Sequence, residues 1–329
     1  MKIDRSITLF LNYCRSKQLR PKTLQSYEQT LALFAKWLRE SEKIEEVEDI
    51  REITIREYML NLQERGKYSV CVNARSKEIN YPEHRMDFMA ALSNTTINNY
   101  LRNIRAYINW MVEMEMIAKS PMRRIKLLKQ TRRPRDYMTD DEVKYLLRVF
   151  DKSLYSEHRD LMIAMVMLDC GTRLGETLSI ETEQVDLYEM TITLPAEKTK
   201  GRKDRVVFFS QHLARDLRRW LHYKESECES RYLFPVRETG FMVKISNYER
   251  NFRNYMQRTG IEKHISPHTL RNNFAKRCLM SGMDVYTLSR ILGHSSIKIT
   301  ERAYLDITDD DLKKRYARCS PLDNIYFRD

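Results

Sequence analysis

From Met190 to Phe209 the chain reads MTITLPAEKTKGRKDRVVFF, two β-rich runs, Met190 to Leu194 and Arg205 to Phe209, flanking a turn-like stretch with Lys198, Lys200, Arg202 and Lys203. Five-residue runs of β-branched and aromatic residues around a Lys-Gly turn predict a hairpin with a strongly basic tip. On either side the apolar residues return at helical spacing. The stretch therefore sets the fold class as mainly α, with a small β-sheet or hairpin inside the C-terminal domain.

Working outward, Ser266-Pro267 predicts an N-cap with proline at the first helical position, and Asp284 a cap for the segment reaching Leu292. Ser295 or Ser296 can cap the segment that ends at Tyr304. Upstream, Thr139-Asp140-Asp141-Glu142 forms a capping box that opens a helix through about Phe150. Before it lies a run from Lys119 to Arg135 with eight basic residues, no acidic one, and two prolines, Pro121 and Pro134. Proline discourages a continuous helix, so this run predicts a connector between domains, and its charge suits a phosphate backbone. The expected division is 1–128, a linker at 129–137, and 138–329 with a C-terminal tail at 305–329.

In the first half, Leu24, Tyr27, Leu31, Phe34, Ala35 and Leu38 share one helical face between Thr23 and Arg39. Ile97, Tyr100, Leu101, Ile104, Tyr107, Ile108 and Met111 do the same between Thr96 and Met116. Such stripes are core, and they predict a small helical bundle. Between Gly66 and Ser93 the helical period fails, and the loose alternation from Tyr68 to Ala74 fits a short hairpin or a mobile loop equally.

At 329 residues the chain can hold two domains, each with its own core. With 42% hydrophobic and 32% charged residues, 8 Gly and 8 Pro, and a mean hydropathy of -0.61, disordered, collagen-like and membrane classes are excluded. The longest apolar run, Leu161 to Leu168, falls far short of the ~20 residues that cross a bilayer. No apolar signal region follows Met1, so a cytoplasmic location without membrane partners is expected. The six cysteines are scattered singly and suggest neither a disulfide framework nor a zinc site. The net charge of +12, with a pI near 9.3, favours a polyanionic partner, with nucleic acid first.

Four short pieces of the second half carry chemistry: Gly171-Thr172-Arg173-Leu174-Gly175-Glu176, the hairpin tip, His268-Thr269-Leu270-Arg271, and Leu292-Gly293-His294 followed ten residues later by Tyr304. In residue type, order and spacing this set resembles the tyrosine recombinase (phage integrase) family of site-specific DNA recombinases, over the whole second domain. The resemblance implies an active site of Arg173, Lys200, His268, Arg271, His294 and Tyr304, with Glu176 in a supporting acidic position. It also makes residues 138–329 an α+β catalytic domain and the first half a helical, SAM-like core-binding domain. The looser match there runs through Lys22 to Tyr27 and Asn98 to Arg105.

On this reading Arg173 and Arg271, permanently charged planar forks, neutralise phosphate oxygens, and His294 adds a hydrogen bond to the developing charge. Tyr304 is the nucleophile, with His268 the natural general base. Lys200, selected over Lys198 and Lys203 by its Lys-Gly register, protonates the departing 5′-oxygen. The 3′-phosphotyrosyl intermediate conserves bond energy, so neither a metal, ATP nor another cofactor is expected. Arg132, Arg133, Arg135, Arg202 and Lys203 are the expected DNA contacts. The resemblance further implies a C-shaped clamp on duplex DNA at the nucleoid, a homotetramer exchanging the C-terminal tail, and an accessory directionality factor. Alternatives are a type IB topoisomerase-like enzyme and a catalytically inactive DNA-binding homologue.

Overall fold

A computed structural model describes the chain apart from residues 73–77, 79–80, 131–135, 197–203, 295, 305–308 and 320–329, and apart from some side chains between 299 and 319. The chain forms two compact units, Met1–Arg132 and Arg133–Asp329.

The first unit is a bundle of α1 (Ile3–Ser16), α2 (Pro21–Glu40), α3 (Glu52–Glu64) and α4 (Asn94–Glu113). Pro21 opens α2, and the Ser93 hydroxyl accepts the Thr96 amide at 3.2 Å to start α4. Leu31, Phe34, Ile55, Tyr58, Leu101, Ile104 and Ile108 are fully buried between them, as the helical spacing of their apolar faces requires. The first part of the basic run belongs to this core. Met122 and Ile125 are buried. The Asn98 side chain donates to the Leu128 carbonyl and accepts its amide, both at 2.9 Å. Charge alone therefore does not mark where the bundle ends.

The 66–93 insertion is closed at its neck by an antiparallel bridge between Gly66 and Ala91. The Lys67 amide donates to the Ala90 carbonyl at 2.8 Å, and the Met89 amide donates to the Lys67 carbonyl at 3.0 Å. A short hairpin and a mobile loop are equally expected here; the described residues show that bridge and a short 3-10 turn, Pro82–His84, while 73–77 and 79–80 lie outside them. Together with α2 and α4 the insertion walls a cleft of about 930 Å³ whose lining includes Gln25, Gln29, Arg65, Tyr68, Asn99 and Asn103.

The second unit contains α5 (Asp140–Arg148), α6 (Tyr155–Cys170), the short α7 (Leu174–Leu178), strands β1 (Val185–Asp186), β2 (Thr191–Leu194) and β3 (Arg205–Phe208), then α8 (Gln211–Glu227), α9 (Ile245–Thr259), α10 (Pro267–Met280), α11 (Val285–Leu292), α12 (Ile297–Tyr304) and α13 (Asp309–Cys319). Helix α6 is apolar nearly all round and is buried accordingly, with Leu161, Met162, Ile163, Ala164, Val166 and Met167 at 2% exposure or less. It stops at Gly171, whose φ of +64° is the left-handed C-cap that favours glycine; a Cβ there would lie 2.2 Å from the Phe274 ring.

The sheet order is β1-β2-β3, antiparallel throughout. Ile192 pairs with Val207 and Leu194 with Arg205, so these residues share the inward face while Thr193, Val206 and Phe208 alternate outward. The two-strand hairpin is thus present, with β1 an additional strand. Asp204 closes its neck by accepting the Ala196 amide at 2.6 Å.

The caps follow their residues. Thr139 and Glu142 exchange reciprocal bonds at 2.7 and 3.2 Å. Asp284 accepts the Thr287 amide at 2.9 Å to start α11. Ser266 and Pro267 open α10. The first turn of α13 is joined to α10 by a 2.6 Å bridge from Lys276 to Asp311. Among the described residues no helix is long and apolar enough to cross a membrane.

Candidate active site

The site is assembled where two helices end. The carboxyl ends of α6 and α11 leave carbonyls without intrahelical partners, and Arg271 on α10 satisfies one from each: its guanidinium donates to Gly171 O at 2.8 Å and to Leu292 O at 2.7 Å. The negative ends of two helix dipoles therefore face a cation that is only 6% exposed. Arg173, at the amino end of α7, donates to Glu176 at 2.8 Å and to Gly293 O at 3.3 Å. Its own amide also donates to Glu176, at 2.9 Å. One carboxylate and one turn thus fix both of the arginines that the sequence singled out.

His294 follows that turn. Its Nε2 stands 3.0 Å from Arg271 Nη2 and its Nδ1 stands 2.8 Å from Thr300 Oγ1 on α12. A guanidinium has no acceptor, so Nε2 accepts and Nδ1 carries the ring proton, donated to the threonine. Tyr304 is the last residue of that helix, one turn beyond the buried Thr300. Its side chain lies outside the described residues. His268 occupies the first turn of α10, exposed, three residues before Arg271. Lys200, Arg202 and Lys203, and the linker residues Arg132, Arg133 and Arg135, also fall outside the described residues.

Sequence reasoning missed Arg205. This first residue of β3 grips both oxygens of Glu176, Nη1 to Oε1 at 3.1 Å and Nη2 to Oε2 at 2.6 Å. A signal was available: strand alternation puts Arg205 in phase with the buried Val207, and a charge on an inward face calls for a partner. Thr300, the partner of His294, carried no such signal.

The charges do not balance. Among the described residues, Arg173, Arg205 and Arg271 surround one carboxylate, that of Glu176, and two positive charges remain in a largely buried site. Burial and the nearby Arg173 pull the Arg271 guanidinium down to about 9, with Glu176 opposing them; it stays charged at neutral pH. Such a surplus is costly until an anion with several oxygens enters. Among the described residues no group of three or more His, Cys, Asp or Glu side chains is placed to hold a metal ion.

Burial alone would raise the Glu176 carboxyl, yet Arg205 and Arg173 hold it down at about 2. A depressed folded value means stability that is present above the ordinary range near 4.5 and lost as pH falls towards 2. Glu176→Gln is therefore expected to cost on the order of 3 kcal/mol at pH 7 and clearly less at pH 3. Unfolding by urea at the two pH values measures this, and an equal cost at both would contradict an ionised carboxylate.

Two family models match the chain: "Phage integrase family" over residues 136–311, and "Phage integrase, N-terminal SAM-like domain" over residues 7–76. Tyrosine recombinase XerC of Lacticaseibacillus casei is 22% identical over 325 residues, covering 97% of this chain and 99% of that protein. A tyrosine recombinase of Thermosipho africanus is 27% identical over 247 residues, covering 71% and 84%. Among solved structures, the Tn1549 transposon integrase in complex with transposon right end DNA superposes with a TM-score of 0.71 at 16% identity, covering 97% and 99%. XerH site-specific recombinase bound to palindromic difH substrate gives 0.65 at 17%, covering 91% and 80%. These likenesses show a shared fold. With its catalytic-domain model spanning more than half of its length and the SAM-like model on the first unit, the chain belongs to the phage integrase family of tyrosine recombinases.

Proposed function

We propose that the protein is a site-specific DNA recombinase that cleaves and rejoins duplex DNA through a 3′-phosphotyrosyl intermediate, with Arg173, Lys200, His268, Arg271, His294 and Tyr304 as its catalytic residues. The observation that carries this reading is the buried arginine cluster with its two surplus positive charges, set beside His294 and the helix that ends in Tyr304. A phosphodiester supplies the missing anion. Guanidinium forks bind its non-bridging oxygens and stabilise the additional charge of the pentacoordinate transition state.

The phenol oxygen of Tyr304 attacks phosphorus, its proton passes to His268, and the bond from phosphorus to the 5′-oxygen breaks as Lys200 protonates that oxygen. A 5′-hydroxyl from the partner strand later reverses these steps and releases the tyrosine. For His294 to donate to the phosphate through Nε2, that nitrogen must turn from Arg271 and gain a proton, which an incoming anion favours. The hydrogen bond to Thr300 keeps the ring oriented meanwhile.

Double-stranded DNA is the partner of both units. The cleft between α2, α4 and the insertion supports this for the first, since Gln25, Gln29, Asn99 and Asn103 offer amides and Arg65, Lys67 and Arg85 offer charge. Arg132, Arg133, Arg135, Arg202 and Lys203 add phosphate contacts. Four copies act on two sites at the nucleoid, exchanging residues 305–329, and a directionality factor selects the outcome. Sequencing the DNA junctions formed in cells that express the protein, with footprinting of the joined sequence, tests the function. Junctions at one defined sequence are expected. Relaxation of any supercoiled plasmid without new junctions would instead mark a topoisomerase.

A further inference from the structure

Arg205 opens β3, five residues after Lys200 in the sequence, and its side chain touches both halves of the phosphate site. Its fork holds both oxygens of Glu176, the carboxylate that also holds Arg173. Its arm lies against the turn before His294: a Cβ built on Gly293 would come within 2.9 Å of Arg205 Cδ and 3.0 Å of Nη1. Glycine at that position, where φ is +62°, leaves the space the arginine occupies. The side chain is 10% exposed.

The strands themselves are anchored in the core by Ile192, Leu194 and Val207, and the Arg205 side chain reaches from β3 into the site. Leu194 and Arg205 form the last described pair between β2 and β3, and beyond it Asp204 accepts the Ala196 amide across the neck. Arg205 at that last pair converts the position of the strand into a position relative to Glu176. Arg173 does not depend on it, because its amide and its guanidinium each reach Glu176 directly and a further bond goes to Gly293.

We propose that Arg205 is a positioning residue for strand cleavage, which fixes the hairpin and its Lys200 against the phosphate site by clamping Glu176. This rests on the assignment of Lys200 as the general acid. A misplacement of about 1 Å costs on the order of 10²-fold in rate, and the cost should fall on the proton transfer to the leaving oxygen rather than on phosphate binding.

The test compares single-turnover cleavage of ordinary DNA with cleavage of the same duplex bearing sulfur at the scissile 5′-bridging position, from which a thiolate leaves without a proton. Arg205→Ala and Arg205→Lys are expected to slow ordinary cleavage by about 10²-fold and to return to within a few-fold of the parent protein on the sulfur substrate. Lysine keeps the charge and most of the stem but has no fork, so it guards against a folding defect in the alanine variant. Lys200→Ala, run in parallel, should show the same rescue. If Lys200→Ala is rescued and neither Arg205 variant is, the clamp does not act through the hairpin and the proposal is overturned. Normal cleavage of ordinary DNA by both Arg205 variants also overturns it. If Lys200→Ala itself is not rescued, the general-acid assignment falls, and the proposal with it.

Discussion

Tyr304→Phe should bind DNA with unchanged affinity and form no covalent adduct on a nicked suicide substrate. The substitution removes one oxygen and leaves the arginine cluster and the hydrogen bond from His294 to Thr300 as they are. On the proposed mechanism, what disappears is the step that joins protein to DNA. Loss of a covalent nucleophile costs on the order of 10⁶-fold, which is below detection in a gel assay. Water cannot take over readily, because cleavage would then need a second positioned nucleophile and a second base. The next tyrosine along the chain, Tyr316, lies on α13, twelve residues further on. Residual adduct in Tyr304→Phe would move the nucleophile there or elsewhere.

Arg271→Lys should show the second large effect, a loss of about 10²–10³-fold in cleavage with nearly unchanged DNA affinity. Arg271 already spends donors on Gly171 O, Leu292 O and His294, and a guanidinium still has N–H groups left for a phosphate oxygen. An ammonium has three donors from a single point and cannot span two helix ends and a phosphate at once. Because the positive charge is kept, long-range attraction to DNA is kept too. A quench-flow or gel time course with matched binding isotherms checks both halves. A parallel fall in affinity and rate would mean that Arg271 serves binding in the ground state rather than the transition state.

Much of the framework was legible in the sequence because it rests on local rules. The Thr139 and Glu142 capping box, the Asp284 cap, proline after Ser266, and the runs that became β2 and β3 each depend on residues within a few positions of one another. What could not be read rests on distant contacts. Strand β1 has only two residues, too few for any period, and exists because Val185 pairs with Ile192. The neck of the insertion joins Gly66 to Ala91 across 25 positions. Met122 and Ile125 sink into the bundle from the middle of a basic run, held by Asn98 at Leu128.

The same division runs through the site. Short motifs named Arg173, Glu176, Arg271 and His294, and the structure brings these four side chains together. The means by which they meet is long-range: one carboxylate is shared by arginines from α7, β3 and α10, and two helix ends converge on a single guanidinium. Arg205 carried a weaker signal, its strand phase with Val207, and the register with Leu194 places it on the inward face.

The central claim is that a phosphodiester, held by this arginine cluster, is attacked by Tyr304. The most direct measurement traps the unmodified protein on a nicked duplex carrying the recovered junction sequence, in excess EDTA, then digests the complex and identifies the peptide that bears the 3′-phosphonucleotide. The account predicts an adduct at full yield on Tyr304. A nucleotide on any other residue, or an adduct that forms only when magnesium is restored, would contradict it.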